Sequence, residues 1–271
     1  MSFMSPAGLT ARNRGLLACL HQIDGPFTAD DAASALQVPR QRARRLVRYL
    51  ADRGWLARVR RGVYVAVPLS ASVPEEWRAD LWRAAAQAYS PCYIAGWSAC
   101  EHWGLTEQIF RDLMVVSARR IGFRKGAIQG TPVRIKVVDS ARLFGTVGVW
   151  RGSERVDVSD PSRTIVDLLD DPSMGGGIRH VAEVLEEYFD GAQRDEELLL
   201  DYCERFGNRS VYKRLGYLLE ALGLDEVGLI GICRDLMSSG VVPLDPGIGA
   251  PGSRDSNWNL RVNARIDRVA A

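Results

Sequence analysis

The sequence predicts an α/β (α+β) chain in two parts: a small helical head closed by a basic hairpin, then a mixed α/β body that ends in a helical bundle. Three observations carry this. Eleven arginines and four aspartates, with no lysine, put the first seventy residues at about +7 while the whole chain is only +2. Apolar residues recur at helical spacing before residue 50 and again beyond residue 160, with strand-like runs between. Residues 68–74, bounded by Pro68 and Pro74 and containing Ser70-Ala71-Ser72, form a polar joint that sets the expected domains at 1–70 and 71–271.

In the head, Leu16, Leu17, Leu20 and Ile23 predict a helix over residues 11–22, stopped by Gly25-Pro26. Thr28 followed by Asp31 reads as the capped start of a second helix running to Leu36, since the hydroxyl bonds an early N–H and the carboxylate favours the positive helix end. Gln37-Val38 makes a short turn. Pro39 then opens a third helix, where its missing N–H costs nothing. The buried stripe of that helix is Ala43, Leu46, Val47 and Leu50. Helical projection sets Gln41, Arg44, Arg45 and Arg48 on the side away from it, flanked by Arg40 and Arg42 near the N-terminal end.

Two short helices tightly joined, the second presenting Gln and Arg from its early turns, match a helix-turn-helix whose second helix enters the major groove. Arginine forks onto guanine and glutamine onto adenine, so these side chains suit base reading. The following stretch, residues 55–67, is rich in β-branched and aromatic residues and broken at Arg61-Gly62, which predicts a hairpin. Arg58, Arg60 and Arg61 at its tip make a wing that grips phosphate. The expected partner is double-stranded DNA. No compensating acid is expected to neutralise the basic face.

A helix is expected at residues 75–89 and strands at 113–117, 133–138 and 146–158, the last interrupted by Arg151-Gly152. Helices follow at 161–169, 178–189, 195–206, 210–222 and 225–237, with a last strand at 258–262. Ser159-Asp160-Pro161 is a helix start, and Arg163 and Asp167, four apart, are placed to pair. Lys213, Arg214 and nearby Arg209 offer either a solvated face or an anion site, and Gly216 inside that helix implies close packing or ligand approach. Gly175-Gly176-Gly177 before a helix resembles a phosphate cradle, but lacks a preceding strand and a following Lys, so it reads as a flexible turn.

The catalytic inventory is thin, and no catalytic residue, metal or cofactor is expected. His21, His102 and His180 are the only histidines and have no metal-ligand spacing; His102 reads as a packed, hydrogen-bonded side chain. Asp139 after a strand is the one loose fit to a nuclease carboxylate. Glu183, Glu186, Glu187 and Asp190 fall on the wet face of an amphipathic helix. Cys19, Cys92, Cys100, Cys203 and Cys233 include no Cys-x-x-Cys pair and read as reduced, mostly buried residues. With 46% hydrophobic residues, no membrane-length apolar run and no signal-peptide pattern, a cytoplasmic protein is expected.

Beyond the head, four blocks stand in order: Tyr93-Ile94-Ala95-Gly96-Trp97-Ser98-Ala99, His102-Trp103-Gly104-Leu105-Thr106, residues 158–169 around Asp160-Pro161-Ser162-Arg163, and Lys213-Arg214-Leu215-Gly216-Tyr217-Leu218-Leu219-Glu220. With these blocks and the winged helix, the chain resembles the AbiEi-type antitoxins of bacterial type IV toxin-antitoxin and abortive-infection systems, over nearly its whole length. The resemblance implies a repressor of its own operon that counteracts a nucleotidyltransferase-like toxin, with no stable complex required. Two other readings are a ligand-sensing winged-helix regulator, favoured by a deep pocket and disfavoured by a filled core, and a DNA-targeted nuclease.

Overall fold

Thr28 begins the second helix as its spacing requires. Its hydroxyl accepts from the backbone N–H of Asp30 and Asp31 while the Asp31 carboxylate accepts from the N–H of Thr28, a reciprocal cap. The computed structural model describes residues 11–23, 25–60, 62–67, 80–119, 125–152, 154–249 and 251–266. The polar joint at 68–74 and Arg61 lie outside the described residues.

Three helices, α1 (Ala11–His21), α2 (Ala29–Leu36) and α3 (Arg40–Asp52), and a three-stranded sheet build the head. The sheet has the order β1-β3-β2, from β1 (Phe27–Thr28), β2 (Leu56–Arg60) and β3 (Val63–Ala66). Leu17, Leu20, Phe27, Ala32, Ala43, Val47, Leu50 and Trp55 close one core. Pro39 caps α3 rather than lying in its first turn, a one-residue difference from the expectation.

A six-stranded mixed sheet of order β6-β7-β5-β4-β9-β8 organises the body. Its strands are β4 (Cys92–Ile94), β5 (Leu113–Ser117), β6 (Lys125–Ile128), β7 (Thr131–Val137), β8 (Thr146–Arg151) and β9 (Glu154–Ser159). Every residue of β5 is buried. Leu113 and Val115 face a cluster with α4 (Leu81–Tyr89), whereas Met114 and Val116 face the helices of the opposite layer. A continuous apolar strand is what a sheet covered on both faces requires. The helix expected at 75–89 is described from Leu81, after its cap Asp80.

The second layer comprises α5 (Gly96–Trp103), α6 (Pro161–Asp170), α7 (Ile178–Asp190), α8 (Glu196–Phe206), α9 (Ser210–Leu222) and α10 (Val227–Leu236). Asp160 caps α6 through the N–H of Arg163, with Pro161 in the first turn, as expected. The expected last strand is β12 (Leu260–Val262), which sits between β10 (Val242–Pro243) and β11 (Ser253–Asp255) in a third sheet. Gly216 meets this region directly: a Cβ there would stand 1.9 Å from the Trp258 ring. Close packing, not a ligand, explains that glycine.

The head is seated on the body by its wing. Val59 and Val63 are buried in the cluster that holds Ala84, Ala85, Ala88 and Ile128, and the Val59 carbonyl accepts from the N–H of Gln129 at 3.3 Å. The β2–β3 register shifts between Arg58 and Arg60, so a bulge at Val59 aims its side chain into the body.

Candidate nucleic-acid interface

α3 sorts its side chains by its own period. Ala43, Val47 and Leu50 are buried and Leu46 is half-buried, while Arg40, Gln41, Arg42, Arg44, Arg45 and Arg48 are all exposed. None of these guanidiniums is buried against the body. Tyr49, 42% exposed, stands on the same helix with the Arg53 guanidinium 5.2 Å from its ring. Sequence reasoning passed over Tyr49; its signal was an aromatic one place outside the buried stripe, and its hydroxyl is a further donor suited to phosphate.

One expectation is corrected. The basic face does meet an acid: Arg40 Nε lies 2.5 Å from Asp30 Oδ1. Asp30 sits in the first turn of α2, and the tight turn through Gln37, in left-handed conformation at φ 51°, folds that turn towards the start of α3. A charge count along the chain does not register this. Both side chains are more than half exposed (62% and 55%), so water and salt screen the pair and its net worth is small.

On the wing, Arg58 is exposed, lies 5.5 Å over the ring of its cross-strand neighbour Tyr64 and donates to its hydroxyl at 3.4 Å. Arg60 ends β2 opposite Val63, and Arg61 falls outside the described residues. The structure therefore leaves the six α3 side chains and Arg58 exposed.

The body's charged motifs do different work. Arg163 is wholly buried beside Phe144 and Phe206, bonded to Asp167 at 3.0 Å, to the Tyr93 hydroxyl at 2.8 Å and to the Arg142 carbonyl at 3.0 Å. Burial pushes the Asp167 carboxyl and the Tyr93 phenol up from their ordinary values, with Arg163 opposing both. The expected Arg163–Asp167 pair is thus a structural one.

Lys213 and Arg214 form neither a solvated face nor an anion site, which corrects both readings. They are buried, and they donate to main-chain carbonyls: Lys213 to Gly240, Arg214 to Leu169 at 2.7 Å, Leu244 at 3.0 Å and Pro243 at 3.1 Å. Burial holds both pKa values down.

The glycine triplet is also corrected. Asp245, 2% exposed, accepts from the N–H of Ile178 at 2.9 Å and so occupies the start of α7 with a carboxylate. A Cβ on Gly175 would meet Leu168 and Val181 within 3 Å, so the turn is packed rather than loose. His102 lies between Trp82 and Trp103, at 5.3 and 4.6 Å between ring centroids; burial and Arg151 lower its pKa. Asp139 caps a short 3-10 turn through the N–H of Ala141. All five cysteines are free, with Cys19 exposed and Cys92 half-buried. Among the described residues, no group of histidine, cysteine and acidic side chains is placed to hold a metal ion, and no helix is long and apolar enough to cross a membrane.

The body also contains a cleft of about 640 Å³ lined by Trp97, Phe110, Arg111, Arg134, Arg179 and Asp245, among others.

Fold and exposed face together define the head as a winged-helix domain of the DNA-binding type. Residues 16–67 match the family model described as transcriptional regulator, AbiEi antitoxin. The resemblance read from the sequence is therefore shown over the head, while the four body blocks lie outside the matched residues. A crystal structure of the RV2827C protein from Mycobacterium tuberculosis is similar over 94% of this chain and 92% of that one, with a TM-score of 0.61 and 16% identity. That likeness establishes a shared fold for head and body. No curated protein matches the chain.

Proposed function

We propose that this protein is a repressor and antitoxin of a type IV toxin-antitoxin system. Residues 1–70 bind double-stranded operator DNA of its own operon, and residues 71–271 counteract a nucleotidyltransferase-like toxin without a stable complex, in the cytoplasm and without catalysis of its own. The observation that supports this best is the cluster of Arg40, Gln41, Arg42, Arg44, Arg45 and Arg48 exposed on one helix within the matched segment. Gln41, Arg44, Arg45 and Arg48 read bases, Arg40 and Arg42 flank them, and Arg58, Arg60 and Arg61 grip phosphate.

The test uses full-length protein and the promoter fragment upstream of its own reading frame. Specific retention of that fragment, loss of retention in the Arg44→Ala, Arg45→Ala double variant, and rescue of growth by that same variant from a neighbouring nucleotidyltransferase-like product are expected. Absence of such a neighbouring frame, or toxicity unrelieved by the wild-type chain, would remove the antitoxin half and leave a DNA-binding regulator.

A further inference from the structure

The body holds a second place suited to nucleic-acid chemistry that the function above leaves unused. One wall of the 640 Å³ cleft is aromatic: half-buried Phe110 stacks on Trp97 with centroids 5.2 Å apart and planes 15° from parallel. Arg111, Arg134 and Arg179 are exposed around it. The Arg134 guanidinium stands 5.0 Å from the Trp97 ring and pairs with Asp112 at 3.0 Å. Arg179 gives Nε to the Arg265 carbonyl, and neither it nor Arg111 has a carboxylate partner among the described residues.

The acids in the cleft are already engaged. Asp112 faces Arg134, and buried Asp245 accepts from the N–H groups of Ile178 and Gly247. Two guanidiniums therefore remain for an anion. Gly176 lies against the edge of half-buried Phe110, where a Cβ would stand 3.3 Å away, and the tilted His180 ring sits 5.3 Å from it between centroids. Two smaller clefts share these walls. One, of about 350 Å³, continues from Phe110 and Arg111 to Trp82, His102 and Arg151; the other, of about 320 Å³, continues from Arg134 to Lys125 and Lys136. Both also carry acids, Glu101 and Asp112 in the first and Asp171, paired with Lys136, in the second.

We infer that this cleft binds a nucleotide unit, its base stacked on Phe110 and its phosphate held by Arg111 and Arg179. A stacked base needs only a π-face, and a phosphate suits the guanidinium fork. The unit is either a free nucleotide or one residue of a single strand; a duplex, whose bases already stack on each other, does not offer it. This site is separate from the duplex-binding face of α3 and does not depend on the antitoxin reading.

Fluorescence anisotropy on the full-length chain tests it, with labelled adenosine monophosphate and labelled short oligothymidylate as probes. Each titration is repeated with unlabelled duplex in excess to occupy the head. At least one probe binds saturably with duplex present, and Phe110→Leu and Arg111→Glu each weaken it about tenfold or more. Tighter binding of the strand than of the mononucleotide identifies a strand track; equal or tighter binding of the mononucleotide identifies a small-ligand site. Absence of saturable binding by both probes, displacement by duplex, or unchanged affinity in Arg111→Glu would overturn the inference. Arg111 is exposed, so its charge reversal gives a folded protein even where Phe110→Leu does not; a thermal melt verifies both.

Discussion

On α3, five arginines stand in water with one carboxylate, Asp30, against them. On α6 and α9, Arg163 and Arg214 are buried, and they donate to a carboxylate, a phenol and main-chain carbonyls, with Arg163 Nη1 left without a partner. The residue type is the same and the roles are opposite. A guanidinium kept in water costs nothing to hold and is available to a phosphate or a guanine. One taken out of water must satisfy its donors within the protein, and it then ties together segments far apart in sequence. On the proposed reading the basic surface of the head is a binding device; the basic interior of the body is a set of staples.

The contrast makes its largest prediction at Arg163. Arg163→Met leaves Asp167 buried without its counter-charge, and a loss of about 3–5 kcal/mol in chemical denaturation is expected. A loss below about 1 kcal/mol would show that Tyr93 and water satisfy Asp167 alone. Arg214→Ala comes next. It strips the carbonyls of Leu169, Pro243 and Leu244 of a donor, at a cost of about 3 kcal/mol, and exposes residues 238–252 to limited proteolysis.

On the other side of the comparison, Arg44→Ala or Arg45→Ala leaves the melting temperature unchanged. Each lowers operator affinity by about 1–3 kcal/mol and relaxes sequence preference. Arg58→Ala weakens all duplexes alike and reduces the salt slope by about one. Equal losses on operator and random duplex for the α3 variants would abolish that division.

Asp30→Asn has a smaller effect and the opposite sign. It frees Arg40 and tightens duplex binding by about 0.2–1 kcal/mol at low salt. An unchanged affinity would mean that Arg40 does not reach the duplex. The smallest effect belongs to His21 and His102, whose imidazoles are held below their ordinary value of 6.5 mainly by burial. Below that pH the unfolded chain takes up more protons than the folded one, so stability falls as pH drops through the window beneath 6.5. Thermal melts at neutral and mildly acidic pH read this, and His102→Phe shallows the slope.

The head was largely legible because its signals are local. The Thr28 cap, the stripe of Ala43, Val47 and Leu50, and the hairpin through Gly62 each depend on residues a few places apart, and each is found where spacing puts it. The long body helices were legible for the same reason. What escaped depends on distance. Lys213 and Arg214 fall on a helix face that would be wet if the helix stood alone, and the return of residues 240–244 together with the end of α6 covers them. Short β4 showed no clear period because a strand buried on both faces loses the alternation that announces a half-exposed one, while β6 is a four-residue edge strand with one buried side chain and α5 is a helix of eight residues, both too short to announce a period. The cleft gathers residues 97, 110, 134, 179 and 245 from separate elements, and no motif connects them.

The seam formed by Val59, Val63 and the Gln129 amide has a mechanical consequence for operator geometry. Because the wing shares its hydrophobic contact with the body sheet, the direction of α3 is tied to the body. Two copies meeting on a palindrome would then have their half-site separation dictated by how the bodies abut. Lengthening the spacer by half a helical turn would defeat them, where a loosely hinged reader would simply reach across.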